Sequence, residues 1–361
     1  MKIAIIADRL ELGGVESHII SLVNGFLRRG HRVLLNVAAS APDLLAQIDQ
    51  TNPEFVYVPW SDNPVWDVKN FAPDIIQAHP FTAIVRGHQM AIALKKPLFI
   101  TIHGLYDFGI DRSPLGYSIG ERVQAIIAVD QGVAAVLAQN ASFPEKVLIV
   151  HNGIDLNIFQ PLPLNIDQRF SLGLNPKWFT MAIISRLGDG KEVPIFQLVR
   201  LAPKWGFLLR GLNMIIVGDG PGFGQLQDEI RSIHSPGYHY QVLAVGRQLN
   251  IKRYLAVADI VAACDRAALE AMACQRPVLA VNANGFAGVI TKNNYETILF
   301  KRSGYRPAAE DELTEIISTI AMKKRYRAKI GLNGCSIVHR YFNLEDTLDQ
   351  LERLFATALS K

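Results

Sequence analysis

The feature that most constrains this chain is a pattern that runs, stops and restarts. Short apolar strands alternate with helix-like segments over the first 150 or so residues, lapse in "HNGIDLNIFQPLPLNIDQRF", and resume at "FTMAIISR". In the first series "KIAIIAD" (2–8) leads through "LGG" (12–14) into a helix with apolar Ile19, Ile20, Leu22, Val23, Phe26 and Leu27, and Gly30 is placed to close it. "RVLLNVA", "DIIQAH" (74–79), "LFITIH" (98–103), "AIIAVD" (125–130) and "VLIVHN" (147–152) follow. The second series holds "FTMAIISR" (179–186), "MIIVGDG" (214–220), "YQVLAVGR" (240–247), "ADIVAA" (258–263) and "RPVLAVN" (276–282). Such alternation predicts two doubly wound parallel α/β sheets, each a Rossmann-like domain. The aperiodic stretch with Pro161 and Pro163 is read as the linker. The expected division is 1–157, 158–341 and a last amphipathic helix in 342–361, capped by Asn343.

Of the 361 residues 49% are hydrophobic and 19% charged, enough apolar material for two ordered domains. Cys264, Cys274 and Cys335 form neither a disulfide framework nor a zinc spacing, which suits a reducing compartment. "MKIAIIADRLELGG" has too short an apolar run for a signal peptide, and no stretch of about 18 apolar residues occurs, so a cytoplasmic protein is expected. The net charge of +4 is uneven: residues 1–157 carry 12 Lys/Arg against 15 Asp/Glu, the remainder 25 against 18. A basic second half suits an anionic ligand such as a nucleoside diphosphate, or a peripheral hold on a membrane. No aromatic-basic motif points to nucleic acid.

Doubly wound sheets bind ligands outside the carboxyl ends of their strands. His79, His103, Asp130 and Asn152 all fall at such ends, which predicts one cleft. Gly13 and Gly14 let the backbone approach a ligand at a helix start, although an ordinary strand–helix turn needs glycine too. The third glycine of the dinucleotide fingerprint is missing. "SRLGDGK" brings Arg186, a fork, and Lys191, a point charge, to one strand end, as a diphosphate requires and as a solvated basic loop also would. "IVGDGP" adds Gly218 in a second tight turn. Glu270 is read in the first turn of the next helix, where it either favours the helix dipole or accepts hydrogen bonds from a ribose while the amides of Ala267 and Ala268 meet phosphate. His18 and His88 read as ordinary helical histidines, and His151 and Asp155 as residues shaping the linker.

Taken in order, "GGVESHIISLVNGFLRRGHRV", "PDIIQAH", "TIHG", "AIIAVD", "HNGID", "SRLGDGK", "IVGDGP", "YLAVADIV" and "ALEAMACQRPVLAV" resemble the retaining glycosyltransferases of the GT-B fold, family 4. The resemblance covers nearly the whole chain. It implies two Rossmann-like domains with an interdomain cleft, the nucleotide-sugar donor on the second and the acceptor on the first. It implies that Arg186 and Lys191 hold the diphosphate, Glu270 the ribose, that the amides around Gly13 and Gly14 approach the phosphate or sugar, and that His103 faces the reacting sugar. The implied activity is retaining transfer of a hexose, from a UDP-sugar above all, to a glycan, lipid-linked or small-molecule acceptor. No Asp-x-Asp pair occurs, so no metal is required. One departure stands out. The family's Glu, seven residues, Glu becomes Ala262 and Glu270, so the sugar contact of the first Glu is lost or supplied by Asp265, which otherwise caps the helix, or by amides in Gly285–Gly288. A nucleotide-sugar epimerase, a phosphorylase or a non-catalytic nucleotide-sugar binder would use the same shape.

Overall fold

The computed structural model describes residues 1–11, 13–233 and 239–360; Leu12 of the expected "LGG" turn lies outside them. The chain divides into two compact units, Met1–Asp155 with Phe342–Lys361, and Leu156–Tyr341.

The first unit holds β1 (Lys2–Leu10), β2 (Arg32–Ser40), β3 (Phe55–Pro59), β4 (Ile75–Ala78), β5 (Leu98–Ile102), β6 (Val123–Ala128) and β7 (Val147–Ile149). They form one parallel sheet in the order β3-β2-β1-β4-β5-β6-β7. Residues such as Ile3, Ile5, Val33 and Ile75 face one layer of helices, and Ala4, Ile6, Ile76 and Ile100 the other, which is why these strands read as continuous apolar runs rather than alternating ones. Gly30 adopts φ +77 just past the helix Gly14–Arg28, the left-handed conformation that lets the chain turn into β2. The helix Leu344–Leu359, capped by Asn343, belongs to this unit: Phe355 lies 4.9 Å from the Phe99 ring, and Arg29 forks onto Glu345 and Asp349 at 2.7 Å each.

The second unit holds β8 (Phe179–Ile184), β9 (Leu212–Val217), β10 (Tyr240–Ala244), β11 (Ile260–Ala263), β12 (Val278–Asn282) and β13 (Gly285–Val289), ordered β10-β9-β8-β11-β12-β13. All are parallel except β13, which runs antiparallel to β12, so the expectation of a wholly parallel sheet is corrected at that edge. Sequence reading passed over β3 and β13. Both are short edge strands, one half-exposed and ending in Pro59, the other interrupted by Gly285 and Gly288.

The strand orders locate where each unit can bind something. In a doubly wound sheet the crevice opens where the winding reverses. That point lies between β1 and β4 in the first unit, and between β8 and β11 in the second.

Candidate functional site

At the switch point of the second unit, the turn after β8 is built by backbone pairing to the turn after β9. Ser185 N–H donates to Val217 O (3.1 Å), Leu187 N–H to Asp219 O (2.9 Å), and Gly222 N–H to Leu187 O (3.0 Å). Gly218 sits at φ +146, where a Cβ would collide with the Ser185 carbonyl oxygen. The missing Cβ thus lets the two turns close on each other. The turn presents Arg186, well exposed and 2.6 Å from Asp189, and then Lys191, whose Nζ lies 3.8 Å from Asp265 Oδ2.

The helix after β11 spans Asp265–Ala273, with Cys264 as its N-cap and no side-chain capping bond. Asp265 is the first helical residue, at φ +49, so it does not cap. Its carboxylate lies between two cations: Lys191 on Oδ2, and Arg302 Nη1 at 3.7 Å on Oδ1. Tyr305 lies beside this group, its hydroxyl pushed well up by burial and by Cys264 and Asp265. Burial, followed by the Asp265 charge, drives the Cys264 thiol up to about 12, so it stays protonated and unreactive at neutral pH. Ala267 keeps its amide at the open helix start, whereas Ala268 N–H donates to Cys264 O (3.3 Å) and its residue is buried, so Ala268 is removed from the expected phosphate amides.

Two other expectations on this segment change. Glu270 sits in the second turn rather than the first, buried, with Arg266 Nε donating to its Oε1 at 2.8 Å. Burial raises its pKa and Arg266 opposes the rise. Ala262 is fully enclosed in β11, paired with Ile183 and Leu279, and belongs to the unit's apolar core. It therefore faces no sugar. In the Gly285–Gly288 stretch, Phe286 N–H donates to Arg306 O (2.8 Å), and Gly285 packs against the same carbonyl.

At the first unit's switch point the geometry gathers three histidines. His103 Nε2 lies 2.9 Å from His79 Nδ1, Asn152 Nδ2 lies 3.3 Å from His103 Nδ1, and the His18 ring packs edge-on to His103 at 5.4 Å. Three of the four expected strand-end residues therefore meet. The fourth, Asp130, instead caps the helix Gln131–Asn140 by accepting Val133 N–H at 2.9 Å. His103 is 7% exposed, with Nε2 beside His79 and Nδ1 beside Asn152. His18 was missed: only the register of its helix against β1 and β4 brings it to the group. His88 takes Ser118 as a partner (3.2 Å). His151 Nδ1 lies 2.9 Å from Val129 O, and Asp155 pairs with Arg28 at 2.9 Å. Gly13 N-caps the helix Gly14–Arg28 with no side-chain bond, and the Glu16 carboxylate folds back against it. Asp8 binds the amides of Thr82 (3.0 Å) and Ala83 (2.9 Å), which satisfies the neighbouring helix start.

The buried histidine pair has a consequence for stability. Burial lowers His79 to about 3, against an unfolded value near 6.5. Its folded pKa is depressed, so the unfolded chain binds the extra proton between those values. The stabilisation is complete above pH 6.5 and is lost as pH falls toward 3. We expect urea-unfolding free energy to fall by roughly 2 kcal/mol between pH 6.5 and pH 5. The slope should flatten in His79→Gln; an unchanged slope in that variant would remove His79 as the cause.

Among the described residues no group of three or more His, Cys, Asp or Glu is placed to hold a metal, and no helix is long and apolar enough to cross a membrane. Residues 12–158 match the model of Glycosyltransferase Family 4, and residues 195–319 match Glycosyl transferases group 1. The chain belongs to this family of glycosyltransferases. The family member is 26% identical over 271 residues to the lipopolysaccharide core biosynthesis mannosyltransferase LpsB of Rhizobium meliloti (strain 1021), covering 71% of this chain and 72% of that one. It is 25% identical over 246 residues to a subunit of the phosphatidylinositol N-acetylglucosaminyltransferase of Arabidopsis thaliana, where it spans 62% of this chain and about half (52%) of the plant protein. In structure it is similar to Anabaena Alr3699/HepE in complex with UDP-glucose, with a TM-score of 0.76 at 20% identity over 99% of this chain and 100% of that one. That likeness is one of fold: two Rossmann-like units, the GT-B architecture.

Proposed function

We propose that this family member transfers a hexosyl group from a nucleoside-diphosphate sugar, with uridine as the base, to a hydroxyl of a glycan or lipid-linked acceptor, with retention at the anomeric carbon. The observation that carries it is the convergence of Lys191 with the start of the helix Asp265–Ala273 at the second unit's switch point. The names of the relatives support the choice of acceptor, one acting in lipopolysaccharide core biosynthesis and one on phosphatidylinositol. The UDP-glucose bound by the Anabaena neighbour supports the choice of base. The exposed face of the helix Lys324–Tyr341, with Lys324, Arg325, Lys329 and Arg340 and no acidic residue, suits an anionic membrane that would carry a lipid-linked acceptor.

In this reading the bond from the sugar's anomeric carbon to the phosphate oxygen breaks through an oxocarbenium-like state, and its electron pair goes to the leaving diphosphate. Lys191, Arg186 turned from Asp189, and the first-turn amide of Ala267 meet the charge where it develops. Glu270, held by Arg266, accepts the ribose hydroxyls. The acceptor oxygen bonds to the anomeric carbon on the face the phosphate leaves, which gives retention, and its proton passes to the leaving phosphate oxygen.

A thermal-shift panel of UDP, GDP, ADP and CMP tests the base, since a ligand of the native state raises the midpoint. UDP should give the largest shift; a larger shift with another nucleotide replaces uridine. Incubation with UDP-hexoses and a glycan acceptor, with the product anomer read by NMR, tests the reaction. Binding without turnover would make the chain a non-catalytic nucleotide-sugar binder. Side chains and amides cover the diphosphate charge, so transfer is expected to survive EDTA. Loss of activity on chelation, restored by magnesium or manganese, would show that a metal shares that task.

A further inference from the structure

The second unit's site contains a residue that neither its motifs nor the proposed chemistry accounts for. Arg302 lies in "FKRSGYRP", outside the strand-end motifs, yet it shares Asp265 with Lys191: Nζ of Lys191 at 3.8 Å from Oδ2, Nη1 of Arg302 at 3.7 Å from Oδ1. Both distances exceed a hydrogen bond, so between these atom pairs the attraction is one of charge. All three side chains remain reachable from solvent, at 28%, 25% and 49% exposure for Lys191, Arg302 and Asp265. The neighbouring Arg186–Asp189 pair repeats the arrangement with one cation and one acid. The group therefore holds three cations and two acids. Tyr305 and Cys264, the other titratable groups here, stay neutral at pH 7 because their pKa values are raised.

We propose that Arg302 is a third diphosphate-binding cation of this chain, and that Asp265 is a built-in counter-anion which holds Lys191 and Arg302 side by side until the diphosphate takes its place. The proposal rests on the reading of this site as a diphosphate site. Two cations 3.7–3.8 Å from one carboxylate are spaced to be shared by a single anionic group, and a diphosphate is a larger anion carrying more charge. A diphosphate oxygen can take shorter, charge-assisted hydrogen bonds from each cation than these 3.7–3.8 Å contacts to Asp265. Asp265 then competes with the ligand. It sets affinity low enough for product release, and removing its charge tightens binding.

Calorimetric titration with UDP, and with uridine as a probe lacking the diphosphate, tests this on the full chain. Arg302→Gln, which keeps length and polarity, is expected to weaken UDP about tenfold and leave uridine unchanged; Arg302→Lys should fall between it and wild type. Asp265→Asn is expected to tighten UDP about fivefold, again without effect on uridine. Asp311→Asn, which removes a charge at an exposed ion pair with Lys204, is the control for overall charge. Thermal midpoints of all variants within a few degrees of wild type would show them folded; if Arg302→Gln melts early, Arg302→Lys and Asp265→Asn decide. UDP affinity unchanged in the Arg302 variants while Lys191→Ala weakens it would overturn the role of Arg302. Weaker UDP binding by Asp265→Asn, or tightening equal to that of Asp311→Asn, would overturn the counter-anion. If Lys191→Ala also binds UDP as wild type does, the diphosphate site itself is misplaced, a failure distinct from either.

Discussion

Ala262→Glu is expected to unfold the second unit rather than to alter its choice of sugar. The position pairs with Ile183 of β8 and Leu279 of β12, in the middle of the sheet, and its side chain joins Met181, Met214 and Ile216 in the core with no exposed surface. A glutamate there needs room for a longer side chain in a close-packed interior, and it brings an unpaired charge. Burying such a charge costs several kcal/mol, and the overpacking adds about 1–3. Domains are stable by only about 5–15 kcal/mol in total. Ala262→Ser, with one hydroxyl, should cost no more than about 1–3 kcal/mol. Urea titration of both variants checks this. A stable Ala262→Glu protein with a changed donor preference would return residue 262 to the sugar site and mean that β11 is set differently from the arrangement described.

Lys191→Ala is expected to weaken UDP binding ten- to a hundredfold while leaving the fold almost untouched. A hydrogen bond to a charged group contributes about 1.5–3 kcal/mol, which is roughly that range of affinity. Stability has little to lose: Nζ is 3.8 Å from a half-exposed carboxylate, and such pairs contribute about 0–1 kcal/mol. Lys191 precedes the helix Glu192–Arg200 without a side-chain capping bond, so its truncation leaves that helix start as it was. Arg186→Ala should have a smaller effect, because its guanidinium is 60% exposed and already held by Asp189. Equal UDP affinities in wild type and Lys191→Ala, measured by calorimetry at fixed salt, would take the diphosphate away from this loop.

How far the sequence reaches can be judged from particular residues. Parallel strands buried on both faces need unbroken apolar runs, and the helices between them need a 3.6-residue period, so β1, β2, β5 and β8 were legible as written. So were the glycine that closes the helix Gly14–Arg28, the Asn343 cap and the basic turn at Arg186 and Lys191, because each depends on a few adjacent residues. Helix starts were less legible. Whether Glu270 lies in the first turn or the second, and whether Asp265 caps or follows the cap, depends on one residue's backbone angle, which no local pattern reveals. The edge strands β3 and β13 are less buried than the central ones and so carry a weaker apolar signal.

The sequence by itself determined two doubly wound units, their strand ends and the family's motifs. The tertiary structure alone decided which of those ends meet. Strand order is a long-range property: β8 lies beside β11, and β1 beside β4, only once the sheets are wound, and those adjacencies bring Lys191 to Asp265 and His18 to His79 and His103. The same winding turned Ala262 inward, because a strand's side chains alternate and one residue of register separates core from site. It also brought in Arg302, for which nothing in the local sequence calls, since its partner Asp265 lies far earlier in the chain and is reached through space.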